Sequence, residues 1–440
     1  MCSKQATQSF ANWPENYGNP DWLIHDRFGM FIHFGLYAIA ARHEWVMTYE
    51  KIHPDTYRKY FENFNPDLFD AQAWARYAKE AGMKYVVLTT KHHDGFALWD
   101  SKLTDYKVTN TPFKRDLLRE FVEALRSEGL KVGFYHSLID WYHHEFPVDG
   151  LHPQRDDEDF KEAAADRDMN KYVDFLHGQV RELLTDYGKI DYMWFDFSYP
   201  DKDWGWAKGK GASDWQSEKL ERMILDLQPH ILLNDRMDLS RGVRTPEQYQ
   251  PNEPLEENGL PVLWEACQTM NGTWGYHRDN LDWKPADLLI KMLIDTVSKN
   301  GNLLLNIGPN GRGEFDHRSI ERLTAIKDWM HLHDRSIYGA GHSNYIAPTD
   351  CRYTQKGNKL YLHILAWPFG HIHLKGLAGK VAYAQLLNDG SEITFKEPDQ
   401  SNTQKEHSHM DTAIAEDSIA LNLPVQKPNV IIPVIEITLK

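Results

Sequence analysis

Short apolar runs alternate with amphipathic stretches from about residue 25 to about residue 335, and this alternation constrains the fold more than any other feature of the chain. The apolar runs have strand length, and several show little apolar–polar alternation, as expected of strands covered on both faces. They span 29–34, 85–90, 131–136, 190–197, 231–234, 262–265 and 302–307. The helical stretches between them span 71–81, 114–127, 169–187, 215–227 and 286–299. Regular alternation of this kind predicts a parallel sheet.

We expect this sheet to close into a (β/α)8-like TIM barrel, with an open doubly wound sheet as the alternative. No Gly-x-Gly-x-x-Gly follows the first run, which disfavours a dinucleotide-binding sheet. After Gly339 the pattern changes to short β-type runs separated by turn residues, which predicts an antiparallel β-sandwich. The predicted domains are a barrel over 1–342 and a sandwich over 343–440. A length of 440 residues suits this division, since such a barrel takes about 250 residues or more.

Charge and cysteine content exclude several classes of protein. The formal net charge of −15 argues against binding to nucleic acid or to an anionic membrane, and no run approaches the ~18 apolar residues of a membrane span. Cys2, Cys267 and Cys351 are scattered, so neither a disulfide framework nor a CxxC zinc site is predicted. Such sparse cysteine suits a reducing compartment. The first residues have no apolar segment of a signal peptide, so we expect a cytoplasmic protein, although prior removal of a signal peptide would leave the same sequence.

Polar and aromatic side chains stand where the predicted strands end. In a barrel these ends converge on one face, where active sites form. The residues concerned are His33, His92, His93, Tyr135, His136, Asp196, Arg236 and Glu265. Any single histidine is more often structural than functional, but the joint pattern favours a site. Asp196 is the most informative of them, because a carboxylate at the end of a buried apolar strand is costly to place without a role.

Two chemistries fit these residues. His33, His92, His93 and Asp196 could ligate a metal, but neighbouring histidines on a strand point in opposite directions and no His-x-His occurs on the first strand, so no metal and no cofactor are predicted. Glycoside cleavage instead needs two carboxyl groups, one near the anomeric carbon and one near the leaving oxygen. Asp196 is the candidate for the first. Glu247 and Glu265 are the candidates for the second.

Several motifs together resemble the α-L-fucosidases of glycoside hydrolase family 29. The resemblance covers about Trp22 to Gly339. Its motifs, in order, are Arg27-Phe-Gly-Met-Phe-Ile-His33-Phe-Gly, Glu44-Trp45, Lys91-His92-His93-Asp-Gly-Phe, Gly133-Phe-Tyr135-His136-Ser, Trp194-Phe-Asp196, Asn234-Asp-Arg236, Trp264-Glu265 through Met270-Asn-Gly-Thr-Trp274-Gly-Tyr276, and Gly301-Asn-Leu-Leu-Leu-Asn306-Ile-Gly-Pro. A chance match to so many motifs in this order is not credible.

The resemblance implies a retaining exo-enzyme that removes terminal α-L-fucose from glycans or glycosides. It implies Asp196 as the nucleophile and Glu247 as the acid/base, with Glu265 as the second choice. The substrate-binding positions it implies are His33, Glu44, Trp45, His92, His93, Tyr135, His136, Trp194, Arg236 and Trp274, of which Trp274 faces the C5 methyl group. Many relatives have glycine directly after the nucleophile, whereas this chain has Phe197. A bulky side chain at this position is expected to narrow the side of the site that takes the leaving group.

The predicted partner is a fucosylated oligosaccharide or glycoside. A homo-oligomer is left open, since barrels with aromatic-rich loops often assemble. The alternative to an enzyme is a catalytically inactive barrel protein that binds fucose. The presence of both candidate carboxyl groups argues against that alternative.

Overall fold

The structure, a computed structural model, describes residues 9–398 and 414–440. Cys2 therefore lies outside the described residues, as does the N-terminal segment on which the cytoplasmic prediction rests. The helices are α1 Asp21–Asp26, α2 Tyr37–Ala40, α3 Val46–Tyr49, α4 Pro54–Glu62, α5 Ala71–Glu80, α6 Leu117–Ser127, α7 Glu158–Ala163, α8 Met169–Asp186, α9 Ala212–Trp215, α10 Ser217–Leu227, α11 Ala286–Val297 and α12 His317–His333, with 3-10 turns at Val108–Asn110 and Asp334–Ser336. The strands are β1 Phe28–Ile32, β2 Tyr85–Lys91, β3 Lys131–Ser137, β4 Tyr192–Asp196, β5 Leu232–Leu233, β6 Glu256–Glu257, β7 Leu260–Pro261, β8 Glu265–Thr269, β9 Asn302–Ile307, β10 Cys351–Lys356, β11 Lys359–Ile364, β12 His371–Lys375, β13 Val381–Leu386, β14 Phe395–Lys396, β15 Ser418–Asn422 and β16 Val434–Leu439.

A curled parallel sheet forms the centre of the first domain. Its seven strands run in the order β5-β4-β3-β2-β1-β9-β8. Side chains alternate along each strand, so Phe31, Tyr135 and Trp194 pack together in the interior of the barrel. Their neighbours in sequence, such as Met30 and Phe195, face the surrounding helices. Burial on both faces explains why these strands lack apolar–polar alternation in the sequence.

Residues 243–248 occupy the gap between β5 and β8. Val243 donates its N–H to the carbonyl of Leu233 at 2.8 Å, and Cys267 donates its N–H to the carbonyl of Pro246 at 3.0 Å. The same segment makes parallel bridges from Val243 to Asn234 and from Glu247 to Cys267. We call residues 243–248 the closing segment. The closing segment takes the place of an eighth strand in the barrel. No strand is predicted there because the segment contains Pro246 and pairs with its neighbours only through isolated bridges.

The predicted barrel and sandwich are confirmed, with one correction that matters for the site. The sequence predicts a strand over 262–265, whereas β8 spans Glu265–Thr269. Glu265 therefore begins this strand instead of ending it. The five predicted helical stretches agree more closely, whereas α4 and α12 were not predicted. For example, α5 begins after Asp70, whose side chain accepts from the N–H of Ala73 at 2.9 Å.

The C-terminal domain consists of two antiparallel sheets packed over their own apolar core. One sheet has the order β10-β11-β16-β13, and the other has the order β12-β15-β14. β10 is not predicted, because its sequence Cys-Arg-Tyr-Thr-Gln-Lys is largely polar. The predicted boundary between residues 342 and 343 falls between the 3-10 turn Asp334–Ser336 and β10, and it stays a prediction.

The sandwich is joined to the barrel by polar and apolar contacts. Trp329 on α12 donates its indole N–H to the carbonyl of Ile432 at 2.9 Å, and Arg352 on β10 pairs with Asp295 on α11 at 2.8 Å. Ile432 and Val434 belong to the same apolar cluster as the helices of the barrel. Within residues 9–398 and 414–440, no helix has both the length and the apolar content needed to cross a membrane.

Candidate active site

A cavity opens at the carboxyl ends of the barrel strands. Its wall contains most of the residues that the sequence predicts for the site, drawn from widely separated parts of the chain. The lining residues are Phe31, His33, Trp45, His92, His93, Tyr135, Trp194, Asp196, Phe197, Arg236, Glu247, Cys267 and Trp274. His92 and His93 follow the end of β2 at Lys91, so they do not point in opposite directions as residues of a strand would, and both reach the cavity. Phe31, Trp194 and Cys267 are almost fully buried, so they form the floor of the cavity.

Asp196, the last residue of β4, is held by two donors. Its Oδ1 accepts from Nη1 of Arg236 at 2.8 Å, and its Oδ2 accepts from the hydroxyl of Tyr135 at 2.8 Å. Nε2 of His93 lies 3.9 Å from the same Oδ2. Only 14% of the Asp196 side chain is exposed. Two donors and a restricted environment give the carboxylate one orientation, toward the cavity.

Arg236 connects the two candidate carboxyl groups. Nη2 of this guanidinium lies 2.8 Å from Oε2 of Glu247, while its Nη1 contacts Asp196. The guanidinium also lies over the ring of Trp194, 4.7 Å from the centroid, and its Nε donates to the hydroxyl of Thr245 at 2.9 Å. Glu247 and Thr245 both belong to the closing segment. Closure of the barrel therefore brings Glu247 to the cavity, with 42% of its side chain exposed.

Two of the histidines are oriented by neutral partners. Nδ1 of His33 lies 2.7 Å from Oδ1 of Asn306, and Nδ1 of His93 lies 2.7 Å from the hydroxyl oxygen of Ser137. An amide oxygen only accepts, so Nδ1 of His33 carries the proton and its Nε2 is left as an acceptor. Burial lowers the pKa of His33 to about 3 and lowers the pKa of His93 well below its usual range. Both rings are therefore neutral near pH 7 and can accept a hydrogen bond from a hydroxyl group.

Glu44 lies behind the cavity and is not among its lining residues. Its Oε2 accepts from the backbone N–H groups of Trp274 at 3.1 Å and of Gly275 at 2.9 Å. Burial raises the pKa of Glu44 to about 7, against the opposing effect of these donors. Glu44 thus fixes the loop that carries Trp274.

The structure does not bring His136 and Glu265 to the cavity. His136 neighbours Tyr135 on β3 and so points to the other side of the strand, where its Nδ1 lies 2.9 Å from the hydroxyl of Thr90. Glu265 is buried inside the barrel, where it accepts hydrogen bonds from the hydroxyls of Tyr85 and Tyr192. Burial raises its pKa to about 7. Because β8 starts at Glu265, this carboxyl lies below the floor of the cavity.

Three residues that line or support the cavity were not predicted from the sequence, namely Phe31, Cys267 and Asn306. Phe31 lies two positions before His33, so strand periodicity was a usable signal for its orientation. Asn306 occurs in a quoted motif, yet its hydrogen bond to His33 depends on the pairing of β1 with β9. In the part of the chain that the structure describes, no group of three or more histidine, cysteine or acidic side chains is arranged to hold a metal ion.

Comparison with known proteins finds relatives that match this chain over most of its length. The family model described as alpha-L-fucosidase matches residues 1–335. The solved structure of alpha-L-fucosidase isoenzyme 1 from Paenibacillus thiaminolyticus is 47% identical, with a TM-score of 0.88 over 96% of this chain and 98% of that one. A family 29 alpha-L-fucosidase from Bacteroides thetaiotaomicron, solved as a trapped covalent intermediate, is 28% identical, with a TM-score of 0.81 over 98% of each chain.

A curated relative extends the match to animals. The tissue alpha-L-fucosidase of Homo sapiens is 28% identical over 386 residues, which are 81% of this chain and 78% of the relative. The family that the motifs suggested is thereby confirmed, together with the barrel and sandwich. The chain belongs to the α-L-fucosidase family, glycoside hydrolase family 29.

Proposed function

We propose that this α-L-fucosidase is a retaining exo-enzyme that releases terminal α-L-fucose through a covalent fucosyl-enzyme. The observation that carries the proposal is the pair of carboxyl groups, Asp196 and Glu247, each 2.8 Å from a different nitrogen of the Arg236 guanidinium at the edge of one small cavity. Glycoside cleavage with retention requires two such groups.

In the first step a carboxylate oxygen of Asp196 attacks the anomeric carbon, and the bond from that carbon to the leaving oxygen breaks. Glu247, which takes up a proton from solvent when it leaves its ion pair with Arg236, gives this proton to the leaving oxygen. In the second step a water molecule gives a proton to Glu247 and attacks the anomeric carbon, which releases Asp196 and yields α-L-fucose. The exposure of Glu247 is consistent with its need for contact with both the leaving group and water.

The shape of the cavity supports an exo mode of action. Phe31 and Trp194 close its floor, which favours a terminal sugar over the middle of a glycan. Neutral His33 and His93 offer acceptors for ring hydroxyls, and Trp274 offers an apolar face for the methyl group of a 6-deoxy sugar. Covalent trapping of the Bacteroides thetaiotaomicron relative supports the same mechanism for this chain.

Azide distinguishes the roles of the two carboxyl groups. We expect Asp196→Gly to lose measurable hydrolysis of aryl α-L-fucosides and, with azide, to form β-L-fucosyl azide, because azide then attacks in place of the carboxylate. We expect Glu247→Ala to slow fucosyl disaccharides by about 10²–10⁴-fold, to slow activated aryl fucosides much less, and to form α-L-fucosyl azide. Rates and the anomeric configuration of the azide product are measured by chromatography and NMR.

The matched control is Glu253→Ala, which removes an exposed carboxyl group six positions after Glu247. It should match the wild type on all substrates. If Glu265→Ala gave α-L-fucosyl azide and Glu247→Ala did not, the assignment of the acid would be wrong. A wild-type protein that binds fucose but hydrolyses no fucoside would support the alternative of an inactive binding protein.

A further inference from the structure

Three aromatic rings extend from the cavity to the surface. Phe197 and Trp45 line the cavity, and their centroids lie 5.1 Å apart. Trp45 stacks on Tyr49 with a centroid distance of 5.8 Å and an interplanar angle of 29°. Tyr49 is 64% exposed. We call Phe197, Trp45 and Tyr49 the aromatic rim.

Local structure explains the position of each outer ring. Trp45 is the N-cap residue of α3, and the N–H of Tyr49 bonds to its carbonyl at 2.9 Å. Residues four apart on a helical turn lie on one face, so the two rings stack. The other residues of this turn, Val46, Met47 and Thr48, are buried. Tyr49 is therefore the member of the turn that presents a large apolar face to solvent.

Phe197 adopts a backbone conformation that is unfavourable for its residue type. Its φ of 84° lies in the left-handed region, which an aromatic residue rarely adopts and which glycine adopts without strain. Its ring packs against Trp45, His93 and Tyr199, with the His93 centroid at 4.8 Å. Glycine would fit the backbone without strain. The chain instead places a ring beside the nucleophile candidate, which indicates that the ring contributes to the site.

The geometry of the barrel identifies what this rim would meet. A fucose ring on the floor of the cavity leaves its partner sugar at the mouth. Trp45 contacts His93, which follows β2, whereas Glu247 lies on the closing segment, four positions around the barrel from β2. The leaving group is thus bounded by the acid on one side and by the aromatic rim on the other.

We propose that the aromatic rim is the subsite for the leaving group and that it binds the apolar C–H face of the pyranose ring to which fucose is linked. Aromatic side chains suit this task because they offer a large rigid surface at low entropic cost. Phe197 and Tyr49 then act as specificity-determining residues. The proposal rests on the proposed function, since it requires a fucoside with a leaving group.

The test compares a substrate whose leaving group is too small to reach the rim with a substrate whose leaving group is a sugar. α-L-Fucosyl fluoride has a single-atom leaving group, whereas a fucosyl disaccharide places a pyranose at the mouth. The disaccharide is the one that the wild type cleaves best among 1→2, 1→3, 1→4 and 1→6 linkages to galactose or N-acetylglucosamine. The measured quantity is the ratio of kcat/KM for the disaccharide to kcat/KM for the fluoride.

We expect Tyr49→Ala and Phe197→Gly each to lower this ratio by about tenfold, through a loss that falls mainly on the disaccharide. The matched control is Phe369→Ala, which removes a ring that is 83% exposed on the sandwich and should leave the ratio unchanged. Equal losses on both substrates would overturn the proposal, because they would show that the rings only support Asp196. An unchanged ratio in both variants would overturn it as well.

Failure of the proposed function has a different signature. A wild-type protein that cleaves neither the fluoride nor any disaccharide contradicts the proposed function and this inference together. A wild type that cleaves the fluoride but none of the disaccharides leaves the proposed function standing and overturns the inference, because the rim would then not accept a pyranose.

Discussion

At the scale of single residues, Asn306 links two walls of the cavity. Its Oδ1 accepts from Nδ1 of His33 at 2.7 Å, and its Nδ2 donates to the carbonyl of Trp274 at 2.7 Å. The second bond fixes which end of the amide faces the histidine. One neutral side chain therefore sets the tautomer of His33 and the position of the loop with Trp274. Asn306 is a positioning residue for both.

Asn306→Asp tests whether neutral His33 is the functional form. A carboxylate in contact with Nδ1 favours the imidazolium, so the pKa of His33 should rise from about 3 by one unit or more. The acceptor at Nε2 is then lost at a higher pH than in the wild type. We therefore expect the acidic limb of the pH profile of kcat/KM to move to higher pH by about one unit.

The pH profile is measured with an activated aryl α-L-fucoside, with Asn63→Asp as an exposed control. The control should keep the wild-type profile. An acidic limb that coincides in Asn306→Asp and in the wild type would show that protonation of His33 does not limit the reaction.

At the scale of elements, the register of β8 decides the environment of Glu265. Residues 262–264 precede the strand, and Glu265 begins it beside Asn302 of β9. The carboxyl group therefore lies among Tyr85 and Tyr192 inside the barrel, where it is fully buried. The predicted strand ends at Glu265, whereas β8 begins there. This difference of a few residues moves the carboxyl group of Glu265 from the active face of the barrel to its core.

Glu265→Gln should change the pH dependence of stability. The pKa of Glu265 is about 7 in the folded chain, against about 4.3 when unfolded. The folded state therefore holds this proton more tightly, so the contribution to stability is complete below about pH 4.3 and is lost as the pH rises to about 7. Glutamine does not titrate, so the free energy of unfolding of the wild type relative to the variant should fall by roughly 2–3 kcal/mol between pH 5 and pH 8.

Urea unfolding at the two pH values measures this difference, and Glu253→Gln provides an exposed control that should show none. A difference that grows in favour of the wild type with rising pH would mean that Glu265 is ionised in the folded chain. Retention of aryl fucoside hydrolysis in Glu265→Gln would agree with its position below the cavity.

At the scale of the whole molecule, the barrel and the sandwich share part of a core. Tyr361, Ile432 and Val434 of the sandwich belong to the same apolar cluster as Trp329 of α12. Thr354 of β10 also donates its hydroxyl to the carbonyl of Ser336 at 2.7 Å. Burial of both domains against each other couples their stabilities.

We expect calorimetry to show one unfolding transition for the two domains and to show that Trp329→Ala moves all of it to lower temperature. Removal of a buried tryptophan costs about 3–5 kcal/mol, and here it also leaves the carbonyl of Ile432 without its donor. Trp206→Ala, which removes a half-exposed indole, is the control and should leave the transition in place. Two transitions, of which Trp329→Ala shifts only one, would show that the domains unfold independently.

Local pattern was sufficient for most strands of the barrel, for five of its helices and for the face of the barrel that carries the site. Apolar runs of strand length, helical periodicity and polar strand ends are properties of neighbouring residues, and each is readable without a partner. They placed Asp196 at the end of β4, and the motifs around it indicated the family. The same reasoning placed His136 beside Tyr135 but could not orient it, because side chains on consecutive strand residues point to opposite faces and only the closed barrel defines the interior.

The alternation of strands and helices, the family and the candidate nucleophile therefore follow from the amino-acid sequence alone. Tertiary structure decided the rest: that residues 243–248 close the barrel and carry Glu247 to Arg236, that Glu265 is a core residue, and that Asn306 orients His33. The physical reason is the range of the interactions. Strand and helix preferences arise within a few residues, whereas closure, register and hydrogen bonds across the cavity join positions that are tens to hundreds of residues apart.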